Sequence, residues 1–168
     1  MRTLLLAFFL LLSASLGALA QSSPNDFVTI YLTRHAEKKL ESTPDPNLSD
    51  LGVQRAERLA KMLKKVAIDS LYSTDLKRTR QTLAFLAEQK SLGLNLYTFP
   101  EQESLARRLR TEFGKCYVVS GHSNTIPAFV NALLGEERVQ EIYDTEYDNL
   151  FVVKIHRSGS ISLDILQY

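Results

Sequence analysis

Two apolar segments, far apart in the chain, each end on a histidine. The first, Phe27-Val28-Thr29-Ile30-Tyr31-Leu32, runs into Thr33-Arg34-His35-Ala36-Glu37. The second, Cys116-Tyr117-Val118-Val119-Ser120, runs into Gly121-His122-Ser123-Asn124-Thr125. Short apolar runs of this kind, bounded by polar residues, read as buried strands. Strand ends in open α/β sheets are where ligands bind. The chain has 3 histidines, so two of them stand where a site would form. An Arg-His pair at one strand end and a Gly-His-Ser-Asn turn at another make a dense anion site.

The segments between these strands alternate in character. Ser49-Asp50 is a helix N-cap signal, and Val53, Ala56, Leu59, Ala60, Met62 and Leu63 follow it at helical spacing. Residues 68–72 read as a strand, 75–89 as a helix, 94–99 as a strand and 101–113 as a helix with a basic face at 107–110. Residues 125–134 read as a helix, with Pro127 tolerated in its first turn. Residues 150–155 and 161–165 read as a closing hairpin around Ser158-Gly159. This alternation predicts a three-layer α/β/α sandwich with a mostly parallel central sheet. No repeat, low-complexity segment or second domain is visible.

The first twenty residues stand apart from this pattern. Arg2, the apolar run Leu4–Leu12 and the small-x-small triplet Ala18-Leu19-Ala20 predict a cleaved secretory signal over residues 1–20. A membrane anchor is the alternative, but the uninterrupted run is short against the ~20 apolar residues a span needs. Residues 21–168 then form one domain with room for a core, working in a secreted or periplasmic setting with no stable membrane span after cleavage. Arg2 is the only charge in the leader, so 19 bases face 19 acids in the remainder. Nothing in that balance supplies the broad basic field that nucleic-acid binding uses, and any attraction for an anion is local. Cys116 is the only cysteine, so no intramolecular disulfide can form. It reads as a small core residue, with a thiol nucleophile the sharper but less favoured reading.

His35 is the candidate nucleophile, because a neutral imidazole nitrogen can attack phosphorus and hold the phosphoryl group. Arg34 beside it offers a rigid fork of donors suited to phosphate oxygens. Arg78 lies in the first turn of the helix after the Leu71-Tyr72-Ser73 strand end, within reach of the same place. His122, with Ser123 and Asn124, precedes a helix whose free amides add partial positive charge. Together these groups would stabilise a transferring phosphoryl group. Two histidines without HxH, HExxH or cysteine spacing do not match common metal sites. His156 stands in no motif.

These residues resemble the histidine phosphatase superfamily, the phosphoglycerate-mutase-like group. Four segments carry the resemblance in order: Thr33-Arg34-His35-Ala36-Glu37; Asn47-Leu48-Ser49-Asp50-Leu51-Gly52-Val53-Gln54-Arg55-Ala56; Tyr72-Ser73-Thr74-Asp75-Leu76-Lys77-Arg78-Thr79-Arg80-Gln81-Thr82; and Gly121-His122-Ser123. The resemblance spans residues 27–135. It implies a phosphohistidine intermediate on His35, a pocket of Arg34, Arg78 and His122 for the phosphoryl group, and no metal or other cofactor. Ala36 stands where glycine is commoner in the family. The family's proton donor has no motif match here: Glu101, Glu103 and Glu37 are the candidates, and Glu101 is the one expected to be catalytic. For each, a helix N-terminal acid stabilised by the dipole is the alternative, and it is the favoured one for Glu103.

The expectation is a small secreted phosphomonoesterase acting on a phosphorylated small molecule or a phosphorylated envelope component. Without a well-placed acid it would favour good leaving groups, phosphoramidates included. The rivals are a non-catalytic phosphoryl-ligand binding protein on the same fold and a phosphomutase. Specificity is expected in the loops around 38–48, 91–103 and 135–149. Within the last, Glu141–Asp148 carries acids and two tyrosines near the site rim and could contact a substrate, though a polar surface loop is the favoured reading.

Overall fold

A computed structural model describes residues 23–168. The leader read over residues 1–20 lies outside the described residues. Six strands form one sheet in the order β3-β2-β4-β1-β5-β6. They are β1 (Phe27–Arg34), β2 (Ser70–Thr74), β3 (Leu94–Tyr97), β4 (Cys116–Gly121), β5 (Asn149–His156) and β6 (Ile161–Gln167). β3, β2, β4 and β1 run parallel, and β5 and β6 add an antiparallel edge. Among the described residues the α-helices are α1 (Asp50–Met62), α2 (Lys77–Lys90), α3 (Gln102–Leu109) and α4 (Thr125–Leu134).

Successive side chains on a strand point to opposite faces, and the central strands are apolar on both. In β1, Val28, Ile30 and Leu32 join Tyr117 and Val119 of β4 in the core under α3 and α4, with Leu105, Ile126 and Phe129. Val118 joins Leu71, Leu150 and Val152 in the opposite core under α1 and α2, with Leu59, Leu63, Leu83 and Leu86. Strands apolar on both faces need helices on both faces, and the expected three-layer sandwich with a mostly parallel sheet is what forms. Among the described residues no helix is long and apolar enough to cross a membrane.

Element ends differ from the sequence reading where side chains compete for backbone groups. β3 stops at Tyr97 rather than residue 99, and α3 starts at Gln102, because Thr98 and Glu101 close a capping box around a 3-10 turn at Phe99–Glu101. α3 ends at Leu109, short of the predicted 113. β1 continues to Arg34, held by pairing with Gly121. That extension fixes the backbone of the arginine expected in the site.

Candidate active site

The parallel strands β1, β4 and β2 end side by side, and the three ends deliver Arg34-His35, Gly121-His122 and Thr74 to one edge of the sheet. The His35 amide donates to the Gly121 carbonyl at 2.9 Å, so the two histidine turns are tied to each other. The Ala36 amide donates to Thr82 Oγ1 at 2.9 Å, and that hydroxyl donates to the Arg78 carbonyl at 2.7 Å. The Arg78 turn of α2 is thereby fastened to the backbone following His35. Gly52 lets the first turn of α1 press against the Glu37 carbonyl, a place where any Cβ would collide. The Ser49 hydroxyl caps that turn by accepting from the Gly52 amide at 3.2 Å.

His35 is buried, 5% exposed, and its ring centroid lies 5.5 Å from that of His122. His35 Nδ1 lies 2.8 Å from the Ala36 carbonyl oxygen. A carbonyl only accepts, so Nδ1 carries the proton and Nε2 keeps its lone pair. Burial pushes the His35 pKa down to about 3, opposed by the Ala36 hydrogen bond and reinforced by Arg78, His122 and Arg34. Burial, with Arg78 and Arg34, likewise pushes His122 down to about 4. Both rings are therefore neutral at ordinary pH, the state in which an imidazole is a nucleophile or base.

Arg34 is 5% exposed and is gripped from the far side by the segment before β5. Its Nη1 donates to the carbonyls of Tyr143 at 2.9 Å and Glu146 at 3.0 Å. Its Nη2 donates to Asp144 at 3.2 Å, and the Tyr147 ring lies 4.1 Å from the guanidinium carbon. Arg78 pairs loosely with Asp45 at 3.8 Å. Arg34 Nε and Arg78 Nε are both buried without a protein partner. Buried donors ordinarily find an acceptor, and these two cations leave donors for an anionic ligand.

The structure brings Arg34, His35, Arg78 and His122 together. Ser123 and Asn124 follow on the rim; Ser123 accepts the Ile142 amide through its carbonyl at 3.1 Å. Asn124 opens a neighbouring cleft of ≈ 590 Å³ with Pro127, Asn131, Arg138 and Glu141. Glu101 does not join them. Its exposed carboxylate accepts from the Thr98 amide at 2.8 Å and the Thr98 hydroxyl at 2.7 Å, and it borders a different cleft with Tyr72, Leu96 and Arg108. The Thr98 hydrogen bonds hold its pKa below the usual carboxylate value, opposite to the need of a general acid. Glu103 pairs with Arg107, and Glu37 makes a fork with Arg55 at 2.6–3.0 Å.

Sequence reasoning missed Asp45 and Thr74, and it set the segment holding Tyr147 near the site rim while favouring a surface loop. Thr74 lies inside the Tyr72–Thr82 segment that carries the resemblance, between the strand end and Arg78. Tyr147 has no motif around it; its ring centroid is 6.2 Å from that of His35, making it a wall of the site.

A neutral imidazole with two guanidiniums near it, at the strand ends of an α/β sandwich, has the chemistry to hold a phosphoryl group. The profile of the histidine phosphatase superfamily (branch 1) matches residues 30–101, which hold Arg34, His35 and Arg78. Over that stretch, somewhat less than half of its length, the chain is similar to the histidine phosphatase superfamily. Phosphoserine phosphatase 1 of Hydrogenobacter thermophilus is 38% identical over 71 residues, which cover 39% of this chain and 34% of that enzyme. The match thus spans about a third of that relative's length. Two solved structures share the fold. A mycobacterial glucosyl-3-phosphoglycerate phosphatase superposes with a TM-score of 0.69 at 16% identity, over 84% of this chain and 99% of its own. The protein histidine phosphatase SixA, complexed with tungstate, gives 0.63 at 17% identity, over 83% and 96%.

Proposed function

We propose that this chain is a phosphomonoesterase that passes the phosphoryl group through His35 Nε2. The observation that carries this reading is the Nδ1 contact to the Ala36 carbonyl, which leaves Nε2 bare in the field of two guanidiniums whose Nε atoms are buried without a partner. In the first step Nε2 attacks phosphorus, the bond to the leaving oxygen breaks, and the alcohol departs. Arg34 and Arg78 hold the equatorial oxygens, whose charge is spread in the transition state. In the second step water attacks the phosphohistidine, inorganic phosphate forms and His35 is regenerated. The engagement of Glu37, Glu101 and Glu103 elsewhere favours leaving groups that need little protonation, such as aryl phosphates and phosphoramidates.

The natural substrate is read as a phosphorylated small molecule or envelope component, met outside the cytoplasm if residues 1–20 act as a cleaved leader. The cleft beside Asn124 offers room for its leaving group. Incubation with an aryl phosphate in the absence of added metal tests the activity. Phosphate release that disappears in His35→Ala supports the reading. Comparable release by that variant contradicts the covalent route, and release from neither protein, with phosphate still bound, favours the binding-protein alternative.

A further inference from the structure

A chain of hydroxyls beside His122 fixes which of its ring nitrogens is protonated. Thr79 Oγ1 donates to backbone carbonyls, with Thr74 O and Leu76 O both at 2.9 Å. A hydroxyl has one proton, so Thr79 spends its proton on the backbone and accepts from its other neighbour. That neighbour is Thr74, whose Oγ1 donates to Thr79 Oγ1 at 3.0 Å. The Thr74 proton is then spent as well. Its remaining partner is His122 Nε2 at 3.0 Å, which must be the donor. His122 is therefore the Nε2–H tautomer, and Nδ1 carries the lone pair.

We propose that Thr74 and Thr79 are positioning residues that hold His122 as its Nε2–H tautomer, so that Nδ1 serves as the proton carrier of the site. The proposal rests on the phosphomonoesterase reading and supplies what that reading lacks. The three carboxylates expected to protonate the leaving group are tied to Thr98, Arg107 and Arg55. The groups around the His122 ring are His35 and Arg34 from β1, Arg78 and Thr79 from α2, and Thr74 from β2. Asp45 and Asp144 are already paired with the two arginines. Burial and the two guanidiniums keep the ring neutral well below pH 6.5, so Nδ1 is bare when substrate arrives.

A phosphate monoester monoanion brings its own proton. Nδ1 takes that proton from the P–OH group. As His35 Nε2 forms its bond to phosphorus and the P–O bond to the leaving group breaks, Nδ1–H returns the proton to the departing oxygen. The monoanion and neutral His35 become an alcohol and a phosphohistidine of the same total charge. Nδ1 next takes a proton from the attacking water and passes it to the released phosphate. A phosphate dianion would set an oxygen lone pair against the Nδ1 lone pair. The site therefore prefers the monoanion, and kcat/KM falls as pH rises through the substrate's second ionisation, about pH 6 for an alkyl phosphate.

The test joins a spectrum to a pH profile. In protein labelled with 15N at histidine, NMR of His122 should show the Nε2–H tautomer at neutral pH. Added inorganic phosphate should place a proton on Nδ1. Thr74→Val should mix the tautomers, lower kcat about tenfold or more with little change in KM, and alter the alkaline limb. Thr74→Ser should restore the wild-type tautomer and profile. An Nδ1–H tautomer in the wild-type protein would overturn the proposal even if Thr74→Val fails to fold. So would a Thr74→Val loss that is uniform across pH with the tautomer unchanged. Because the spectrum needs no turnover, an inactive protein with the Nε2–H signature would count against the phosphatase reading and not against the tautomer.

Discussion

His35 and Arg78 stand within one pocket, but they carry different parts of its chemistry, and substitution separates them. His35→Ala removes the atom proposed to bond to phosphorus and leaves both guanidiniums. It should lower kcat by about a thousandfold or more while inorganic phosphate affinity stays within about tenfold. Arg78→Ala removes charge-assisted donors whose loss typically weakens binding by about 2 kcal/mol. It should reduce both turnover and phosphate affinity, each measurable by steady-state kinetics and calorimetry. Acid sensitivity follows from the same residues. The folded pKa values, about 3 for His35 and about 4 for His122, lie below the unfolded value near 6.5. Between those limits the unfolded chain binds more protons than the folded one, so stability rises with pH across that window and is lost as pH falls through it. The melting temperature should drop from pH 6.5 to pH 4, and His35→Asn should flatten that slope. An unchanged slope would mean that His35 is not held neutral by the fold.

At the scale of elements, the site depends on how closely α1 and α2 are pressed to the strand ends. Gly52 is the point of closest approach, since a methyl there meets the Glu37 backbone, which cannot yield without moving the residues after His35. Gly52→Ala should cost about 2 kcal/mol or more by overpacking. Thermal melting should show that loss, and turnover should fall with it through displacement of the Ala36–Glu37 backbone. An unaltered melting temperature would show that α1 is free to shift. The glycine of the Leu51-Gly52 motif was legible in the sequence as a pattern, but its reason is a contact between segments fifteen residues apart. The helices and strands were legible too, because their apolar spacing reflects burial on one or two faces. Their ends were less so: the Thr98–Glu101 capping box shortened β3, and the same local chemistry removed Glu101 from the site. A carboxylate in the expected stretch of chain is visible in the sequence, whereas the hydrogen bonds that occupy it are not. The Tyr147 segment was read as a surface loop near the rim for the converse reason, since Arg34 is held mainly by its backbone carbonyls, and carbonyls leave no signature in residue type.

Across the whole molecule, the order β3-β2-β4-β1-β5-β6 puts the three site-bearing strand ends next to one another in the middle of the sheet. The antiparallel β5–β6 hairpin then brings the preceding segment back over Arg34. The cations are thereby gathered in a chain whose net charge is only +1 over its full length. A ligand that binds only this assembled arrangement should stabilise the folded state by mass action, by about 2.7 kcal/mol at a hundredfold excess over its Kd. Inorganic phosphate should raise the melting temperature of the wild-type protein and have little effect on Arg78→Ala. Equal stabilisation of the two would place the phosphate elsewhere.

The central claim, a covalent phosphoryl group on His35, is tested most directly by rapid quench of the wild-type protein with a 32P-labelled aryl phosphate. The account predicts label on the protein within one turnover, stable to base, released by acid, mapping to the peptide containing His35 and absent from His35→Ala. Turnover without any labelled protein on that timescale, or label retained by His35→Ala, would contradict it.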